Sequence, residues 1–192
     1  MRKRFHTGAT VLATVIGILA VVGCGTDSGE PIGPTVPTLT ADGLEVDAPS
    51  RYDPCVGVTP EVLNQLQLVK AKNPNTADFD GPNGQKWRGC GWVRPNVYAL
   101  SIRNTNLTLG FVKDNWGDGL SEFTIFGRSA ISVRRSESDP QDSCYVNVEL
   151  RGGSLEFHIL KSASRNAPQD VDFCDIGKKV AESVLPTVPT DA

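Results

Sequence analysis

The chain has 192 residues, 39% of them hydrophobic, and 19 lysines and arginines against 22 aspartates and glutamates give a formal net charge of −3. This length and apolar content suit one ordinary domain with its own core, whereas the acidic balance lacks the basic surface that a nucleic-acid partner requires. The 19 glycines and 13 prolines argue against a helical bundle and favour a turn-rich domain with more strand than helix.

The first 24 residues have the layout of an export signal. A basic start, Met1–Arg4, precedes an apolar run over residues 9–22, which ends in Val21-Val22-Gly23-Cys24. The run is shorter than the ~20 residues of a membrane-spanning helix, and a soluble-secretion signal does not require a cysteine. The stretch resembles the lipobox of bacterial lipoproteins, in which the cysteine receives a diacylglyceryl group. The resemblance implies a leader over residues 1–23, lipid on Cys24, and a location at the extracytoplasmic face of the cell membrane.

Four further cysteines form an even set in what would be an oxidising compartment, and we expect two disulfides. Four cysteines allow three pairings, and the sequence does not choose among them. We prefer one pair in each half of the domain, because each pair would then tie a terminal helix to a nearby strand. The alternative, a zinc site, lacks both C-x-x-C spacing and companion histidines. The preferred pairs are Cys55 with Cys90 and Cys144 with Cys174.

Residues 24–50 contain lipid-bearing Cys24 followed by a polar, proline-punctuated segment, which predicts a flexible tether. A single globular domain is expected over residues 51–186. Its first helix is predicted over Pro60–Val69, because Thr59 can cap it, proline suits its first position, and apolar residues follow at helical spacing.

The middle of the chain predicts an antiparallel sheet, with a closing helix after it. The most secure hairpin turns at Arg151-Gly152-Gly153. Asp170 or Asp172 can cap the closing helix, Pro186 ends it, and residues 187–192 are expected to fray. Strands are expected at residues 87–93, 97–102, 107–112, 123–126, 130–134, 144–150 and 154–160. The predicted fold class is α+β, a mostly antiparallel sheet of about five to seven strands packed with an N-terminal and a C-terminal helix.

The short motifs of the mature chain, taken in order, resemble those of a family: the actinobacterial envelope lipoproteins classed under domain of unknown function 3558. The resemblance runs from about Tyr52 to Pro186. It implies an α+β domain anchored at the outer face of the membrane, structural cysteines, and no catalytic residues to assign. The motifs are Asp53-Pro-Cys55, Thr59-Pro-Glu61, Gly89-Cys-Gly-Trp92, Cys144-Tyr-Val-Asn-Val148, Cys174 and Leu185-Pro186.

Motifs for catalysis are sparse. No G-x-S-x-G elbow, Walker loop or G-x-G-x-x-G loop is present, and the mature chain would keep one histidine, His158. Strand alternation places Glu156 and His158 on one face, where they could form a general base but are more simply a solvated surface. The acidic loops at residues 78–81 and 114–119 lack the ligand pattern of an EF-hand and are read as turns. Asn106-Leu107-Thr108 has the spacing of a glycosylation acceptor, which by itself is weak information.

These observations predict a non-catalytic envelope lipoprotein without a metal or cofactor, membrane-anchored through Cys24 and binding an unknown envelope protein partner. Trp116, expected in a loop over residues 113–121, is the candidate for partner contact. A second hypothesis is a carrier that holds a lipid or other apolar ligand between sheet and helices. A hydrolase-like enzyme is the third.

Overall fold

An antiparallel sheet of eight strands dominates the computed structural model, which describes residues 38–71, 77–116, 119–135 and 141–192. Four helices accompany it, so the predicted α+β class is confirmed. The strands are β1 Val69–Lys70, β2 Phe79–Asp80, β3 Lys86–Arg94, β4 Tyr98–Thr105, β5 Ser121–Ile125, β6 Arg128–Val133, β7 Ser143–Leu150 and β8 Gly153–Lys161. The helices are α1 Pro54–Gly57, α2 Pro60–Gln65, α3 Leu109–Trp116 and α4 Phe173–Val184.

The strand order is β1, β3, β4, β8, β7, β6, β5, and β2 also pairs with β3. The centre of the sheet therefore joins β4 to β8, which are distant in sequence, with Arg103 opposite Glu156. On the other side of β8, Tyr145 pairs with His158 across the hairpin from β7. That hairpin turns at Arg151 and Gly152, as predicted, and Gly152 takes the positive φ of 84° that glycine tolerates.

The two faces of the sheet carry different cores. The face covered by α4, which we call the α4 face, includes Ile102, Val146 and Phe157. Helix α4 packs closely there because Gly177 has no Cβ; an added one would lie 2.8 Å from side-chain atoms of Ile159 and Val146. The opposite face, which we call the α3 face, carries a smaller apolar cluster together with the polar side chains described below.

Helix α3 corrects the prediction of a strand over residues 107–112. Thr108 caps the helix, because its Oγ1 accepts the backbone N–H of Phe111 at 3.1 Å. Val112 is fully buried against the sheet, while Leu109 and Trp116 pack around it at helical spacing. Leu109 and Val112, two of the apolar residues that resembled a strand, therefore lie on one stripe of a helix that begins after Leu107.

The first predicted helix is shorter than expected. Thr59 caps α2 as predicted, accepting the N–H of Val62 at 3.4 Å, but the helix ends at Gln65. Gln67 then adopts a positive φ of 55°, and Val69 begins an edge strand. A left-handed residue breaks the helical hydrogen-bond ladder, so the apolar spacing up to Val69 does not continue the helix.

The closing helix agrees with its prediction. Asp172 caps α4, and its Oδ1 accepts the N–H of Cys174 at 2.7 Å and of Asp175 at 3.3 Å. Helix α4 packs on the sheet through the predicted apolar face, which includes the buried side chains of Val180 and Val184. The pKa of Asp172 lies below its ordinary value. Burial alone would raise this pKa, but the hydrogen bond from the Cys174 N–H and the positive charge of Arg134 outweigh burial.

Both predicted boundaries of the domain need correction. Residues 38–50, expected at the end of the tether, pack on the domain: Leu44 is 2% exposed, and Asn106 Nδ2 donates to the carbonyl oxygen of Glu45 at 2.6 Å. Residues 187–192, expected to fray, are held by Arg128, whose guanidinium donates to the carbonyl oxygens of Pro189 at 2.6 Å and Ala192 at 3.0 Å. Neither contact could be read from local composition.

Candidate functional site

The predicted cysteine framework is present in the preferred pairing. Cys55 and Cys90 form a disulfide with Cα atoms 5.2 Å apart, which ties α1 to β3. Cys144 and Cys174 form the second, with Cα atoms 5.1 Å apart, which ties β7 to α4. Both disulfides lie at the α4 face, where they join helices to the central sheet.

Cys24, the predicted lipidation site, and the leader before it lie outside the described residues. Within residues 38–71, 77–116, 119–135 and 141–192, no helix is long and apolar enough to cross a membrane. The same described ranges contain no group of three or more histidine, cysteine, aspartate or glutamate side chains placed to hold a metal ion.

Trp116 is not in a loop, as was predicted, but is the last residue of α3 and is half-buried. Its ring packs edge-on to Phe111, with centroids 6.0 Å apart, and the Arg135 guanidinium lies 3.6 Å from its centroid. One face of the indole therefore serves packing within the domain. Its contact with a partner stays a prediction.

The α3 face contains a buried ionic cluster built around Glu156, which is fully buried. Its carboxylate pairs with Arg103 from the neighbouring strand, and the Arg135 Nη2 lies 3.6 Å from Oε2. Trp87 Nε1 also donates to Oε2, at 3.3 Å. We call these four residues the Glu156 cluster. The prediction of a solvated surface at Glu156 is wrong, because side chains from three other segments, Trp87, Arg103 and Arg135, surround its carboxylate.

An aromatic stack borders the Glu156 cluster. His158 lies flat against Tyr145, with ring centroids 4.1 Å apart and planes 2° from parallel. The Arg135 guanidinium sits 4.1 Å from the Tyr145 centroid and also contacts Trp116. Guanidinium groups stack well on aromatic faces, so Arg135 connects the end of α3 to the centre of the sheet.

The charges of the cluster determine its protonation. Burial raises the pKa of Glu156, but the positive charges of Arg103 and Arg135 outweigh burial and hold the pKa below its ordinary value. Burial lowers the pKa of His158 to about 4; Glu156 opposes this shift, and the two arginines add to it. At neutral pH the cluster therefore holds an ionised carboxylate beside a neutral imidazole.

The Glu156 cluster is arranged for charge pairing. The carboxylate of Glu156 is engaged by donors from three segments. Within the described part of the chain, the His158 side chain stacks on Tyr145 and no hydrogen bond of its imidazole is found. What this arrangement does is join strands from both halves of the sheet.

The turn predicted at residues 78–81 is wrong, because Phe79 and Asp80 form strand β2, which pairs with β3. Asp78 Oδ1 accepts the N–H of Gly89 at 2.8 Å, and Asp80 pairs with Lys86 at 2.9 Å and with Arg88 at 2.6 Å. The second predicted turn is corrected, because Asp114 is an exposed residue of α3. Asn106 of the glycosylation spacing is fully buried and donates to two carbonyl oxygens.

An open cleft of about 520 Å³ lies beside α1 at the edge of the α4 face. Asn104, from the end of β4, lines it and is 4% exposed. Asp53 and Asp78 line it as well, together with the apolar surfaces of Tyr52 and Pro54. We call this feature the Asn104 cleft. Sequence reasoning missed it because its residues come from four separate segments.

Comparison with known proteins relates the chain to one family. No curated protein and no solved structure matches it. A family profile described as protein of unknown function (DUF3558) matches residues 19–187, which is most of the chain. The chain therefore belongs to the DUF3558 family of proteins of unknown function.

Proposed function

We propose that this chain is an exported lipoprotein, anchored to the outer face of the cell membrane through Cys24, whose domain is a non-catalytic module that binds a protein partner. The observation that carries the export proposal is the pair of disulfides, Cys55–Cys90 and Cys144–Cys174. Disulfides of this kind persist in oxidising compartments and are rare in the cytosol. They use every cysteine except Cys24, which is the one that follows the predicted leader.

The N-terminal pattern adds the anchor. Val21-Val22-Gly23-Cys24 resembles a lipobox, and the family match begins at residue 19, so this tetrapeptide lies within the matched region. A single acyl chain holds a protein to a membrane only marginally, whereas two chains give stable anchoring. A diacylglyceryl group on Cys24 would supply two.

Partner binding is favoured over the carrier because the layer between helix and sheet is filled. Val180 is 1% exposed, and Ala181 and Val184 are fully buried, all on the side of α4 that meets the sheet. A carrier of a lipid tail needs a cavity of a few hundred Å³ in such a layer. Here side chains from α4 and the sheet occupy that space.

Replacing the cysteine tests the anchor. Cys24→Ala, expressed in cells that process lipoproteins, should move the protein from the membrane fraction to the soluble fraction, and the wild-type protein alone should carry the added mass of lipid. Ser28→Ala, four residues further on, is the matched control and should stay in membranes. If the Cys24→Ala protein keeps both its membrane yield and the wild-type mass, the anchor proposal is wrong.

Crosslinking in intact cells tests the partner. The wild-type protein should form a discrete crosslinked species in membranes, and Cys24→Ala should form less of it because the domain no longer stays at that surface. A wild-type protein that forms no discrete species with any envelope protein contradicts the accessory role.

A further inference from the structure

The two outer edges of the sheet differ in how they are covered. Along the outer edge of β3, strand β2 pairs near the start and strand β1 pairs near the end. Between them, the Gly91 carbonyl oxygen accepts the N–H of Ala71 at 3.2 Å, and the N–H of Gly89 donates to Asp78 Oδ1 at 2.8 Å. The backbone of β3 is therefore engaged on its outer side along most of the strand.

Strand β5 forms the opposite edge and lacks such cover. Within the described residues it pairs with β6 alone, in a continuous register without a bulge. Ser121, Glu122 and Thr124 are exposed, and the charge of Glu122 is offset by Lys113 Nζ at 2.6 Å. Sheets commonly protect an edge with proline, a bulge, an unpaired charge or a covering segment, because an open edge pairs with other strands. The edge at β5 is open to such pairing.

The turn between β5 and β6 decides which backbone groups of β5 point outward. It has two residues and leaves Ile125 opposite Arg128, a position at which the flanking pair exchanges both ladder hydrogen bonds. Alternation then directs the N–H and C=O groups of Glu122 and Thr124 away from β6. Counting from the two-residue turn between β7 and β8 gives the same assignment. These two residues therefore present their backbone groups to another strand.

We propose that β5 pairs with β5 of a second copy of this chain, antiparallel and centred on Phe123, so that two sheets join in a symmetric dimer. An antiparallel pair of identical strands has the two-fold symmetry that most homodimers use. In this register Glu122 lies opposite Thr124 of the second copy, and Thr124 lies opposite Glu122. Each outward N–H then meets an outward C=O of the other copy.

The side chains of β5 favour this register over its neighbours. Outward residues must pair with outward residues, so a pairing centred on Glu122 would put two carboxylates directly opposite each other, which is destabilising. A pairing centred on Thr124 would extend to Phe126, whose φ of 47° ends the extended backbone. Centring on Phe123 brings two aromatic rings together in a non-hydrogen-bonded pair, the closer of the two antiparallel geometries.

Two aromatic side chains would gain contacts in the dimer. Phe123 is partly buried at the α4 face, and Lys178 Nζ lies 5.1 Å from its ring centroid, with Asp175 as the counter-charge 3.8 Å from that ammonium. Phe126, 70% exposed on the turn, would come level with Leu120 of the second copy. Because one short strand per copy buries less than a standard interface, we expect a weak dimer with a Kd of about 10⁻⁵ to 10⁻³ M.

The dimer goes beyond the proposed function and rests on the anchor only for local concentration. Copies held on one membrane would meet more often, as tethered binding modules do. Cys24→Ala leaves β5 unchanged, and the variants below leave Cys24 unchanged. Failure of the anchor therefore leaves the strand pairing standing, and failure of the pairing leaves the anchor standing.

Cysteine crosslinking tests the register in the full chain. Phe123→Cys, expressed in cells that process lipoproteins and oxidised in intact cells, should give a disulfide-linked dimer on non-reducing gels, because the two cysteines face each other across the symmetry axis. Glu149→Cys, at an exposed position of β7, is the control for random collision and should give at least about tenfold less dimer. Equal yields would overturn the proposal. So would a Phe123→Cys product that joins another envelope protein and no second copy.

A proline at the edge tests the backbone hydrogen bonds. Thr124→Pro removes an outward N–H that β6 does not use, so the domain should still fold while pairing weakens by at least about tenfold. Thr124→Ala keeps the N–H and should associate like wild type. Sedimentation of the full chain in density-matched detergent, from about 10 µM to about 1 mM, measures the dimer. A wild-type chain that stays monomeric throughout, or a Thr124→Pro chain that associates as strongly as wild type, would contradict edge pairing.

Discussion

His158 makes the stability of the domain depend on pH. The ring stacks on Tyr145, and the positive charges of Arg103 and Arg135 disfavour a third cation beside them. Burial, with help from those arginines, lowers the pKa of His158 from 6.5 to about 4. The folded domain therefore prefers the neutral imidazole.

The sign and size of the effect follow from linkage. Because the folded pKa lies below the unfolded value, the unfolded chain binds more protons between pH 6.5 and pH 4, and stability falls as the pH decreases through that range. At about 1.4 kcal/mol per pKa unit, the full loss is about 3 kcal/mol, and the loss between pH 6.5 and pH 5 is about 2 kcal/mol. Above pH 6.5 the contribution is complete.

Urea unfolding at pH 7, 6 and 5 measures this loss, with His158→Phe as the comparison. Phenylalanine keeps a flat ring against Tyr145 but cannot take up a proton, so the variant should lose much less stability over this range than wild type. The other histidine, His6, lies in the predicted leader. Direct NMR titration of the His158 ring should give a midpoint near 4. Parallel pH profiles for wild type and variant, or a midpoint near 6.5, would refute the reasoning.

Two further predictions concern the sheet. Glu156→Gln leaves two partly buried arginines, Arg103 and Arg135, without their counter-charge and should lower the free energy of unfolding by about 3 kcal/mol. Glu149→Gln, at an exposed position of β7, should change it by less than about 0.5 kcal/mol, and equal effects would show that burial of the Glu156 carboxylate is unimportant. Gly89→Ala should lower the free energy of unfolding by about 2 kcal/mol or more, because the added Cβ would overlap a carbonyl oxygen of β4. In Gly91→Ala, on the same strand, the added Cβ would lie 3.7 Å from its nearest atom, so the free energy of unfolding should hardly change. Chemical denaturation checks both pairs, and a Gly91→Ala loss as large as that of Gly89→Ala would contradict the packing argument.

Much of the fold depends on signals that act over a few residues, and these were predictable. The Asp172 cap, the turn at Arg151 and Gly152, and the strands beside that turn each follow from neighbouring side chains and backbone preferences. The even set of four cysteines also predicted two disulfides from composition alone. The sequence allowed three pairings, and only the structure shows Cys55 of α1 bonded to Cys90 of β3 and Cys174 of α4 bonded to Cys144 of β7.

The site features depended on contacts between distant segments. Alternation along β8 correctly placed Glu156 and His158 on one face. Whether Glu156 meets water depends on side chains from distant segments, Trp87, Arg103 and Arg135, which surround it in the fold. Sequence separation likewise hid the Asn104 cleft, whose walls come from four segments: residues 48–55, Asp78 before β2, Arg88 and Gly89 of β3, and Asn104 at the end of β4.

The sequence by itself determined the cap of the closing helix at Asp172, the turn at Arg151 and Gly152, the even number of cysteines after Cys24, and the export-like pattern that ends at Cys24. Tertiary structure alone decided which polar side chains are buried and what neutralises them. The physical reason is that the register of β4 against β8 brings Arg103 opposite Glu156. A carboxylate can stay ionised without water only where such a partner is in place.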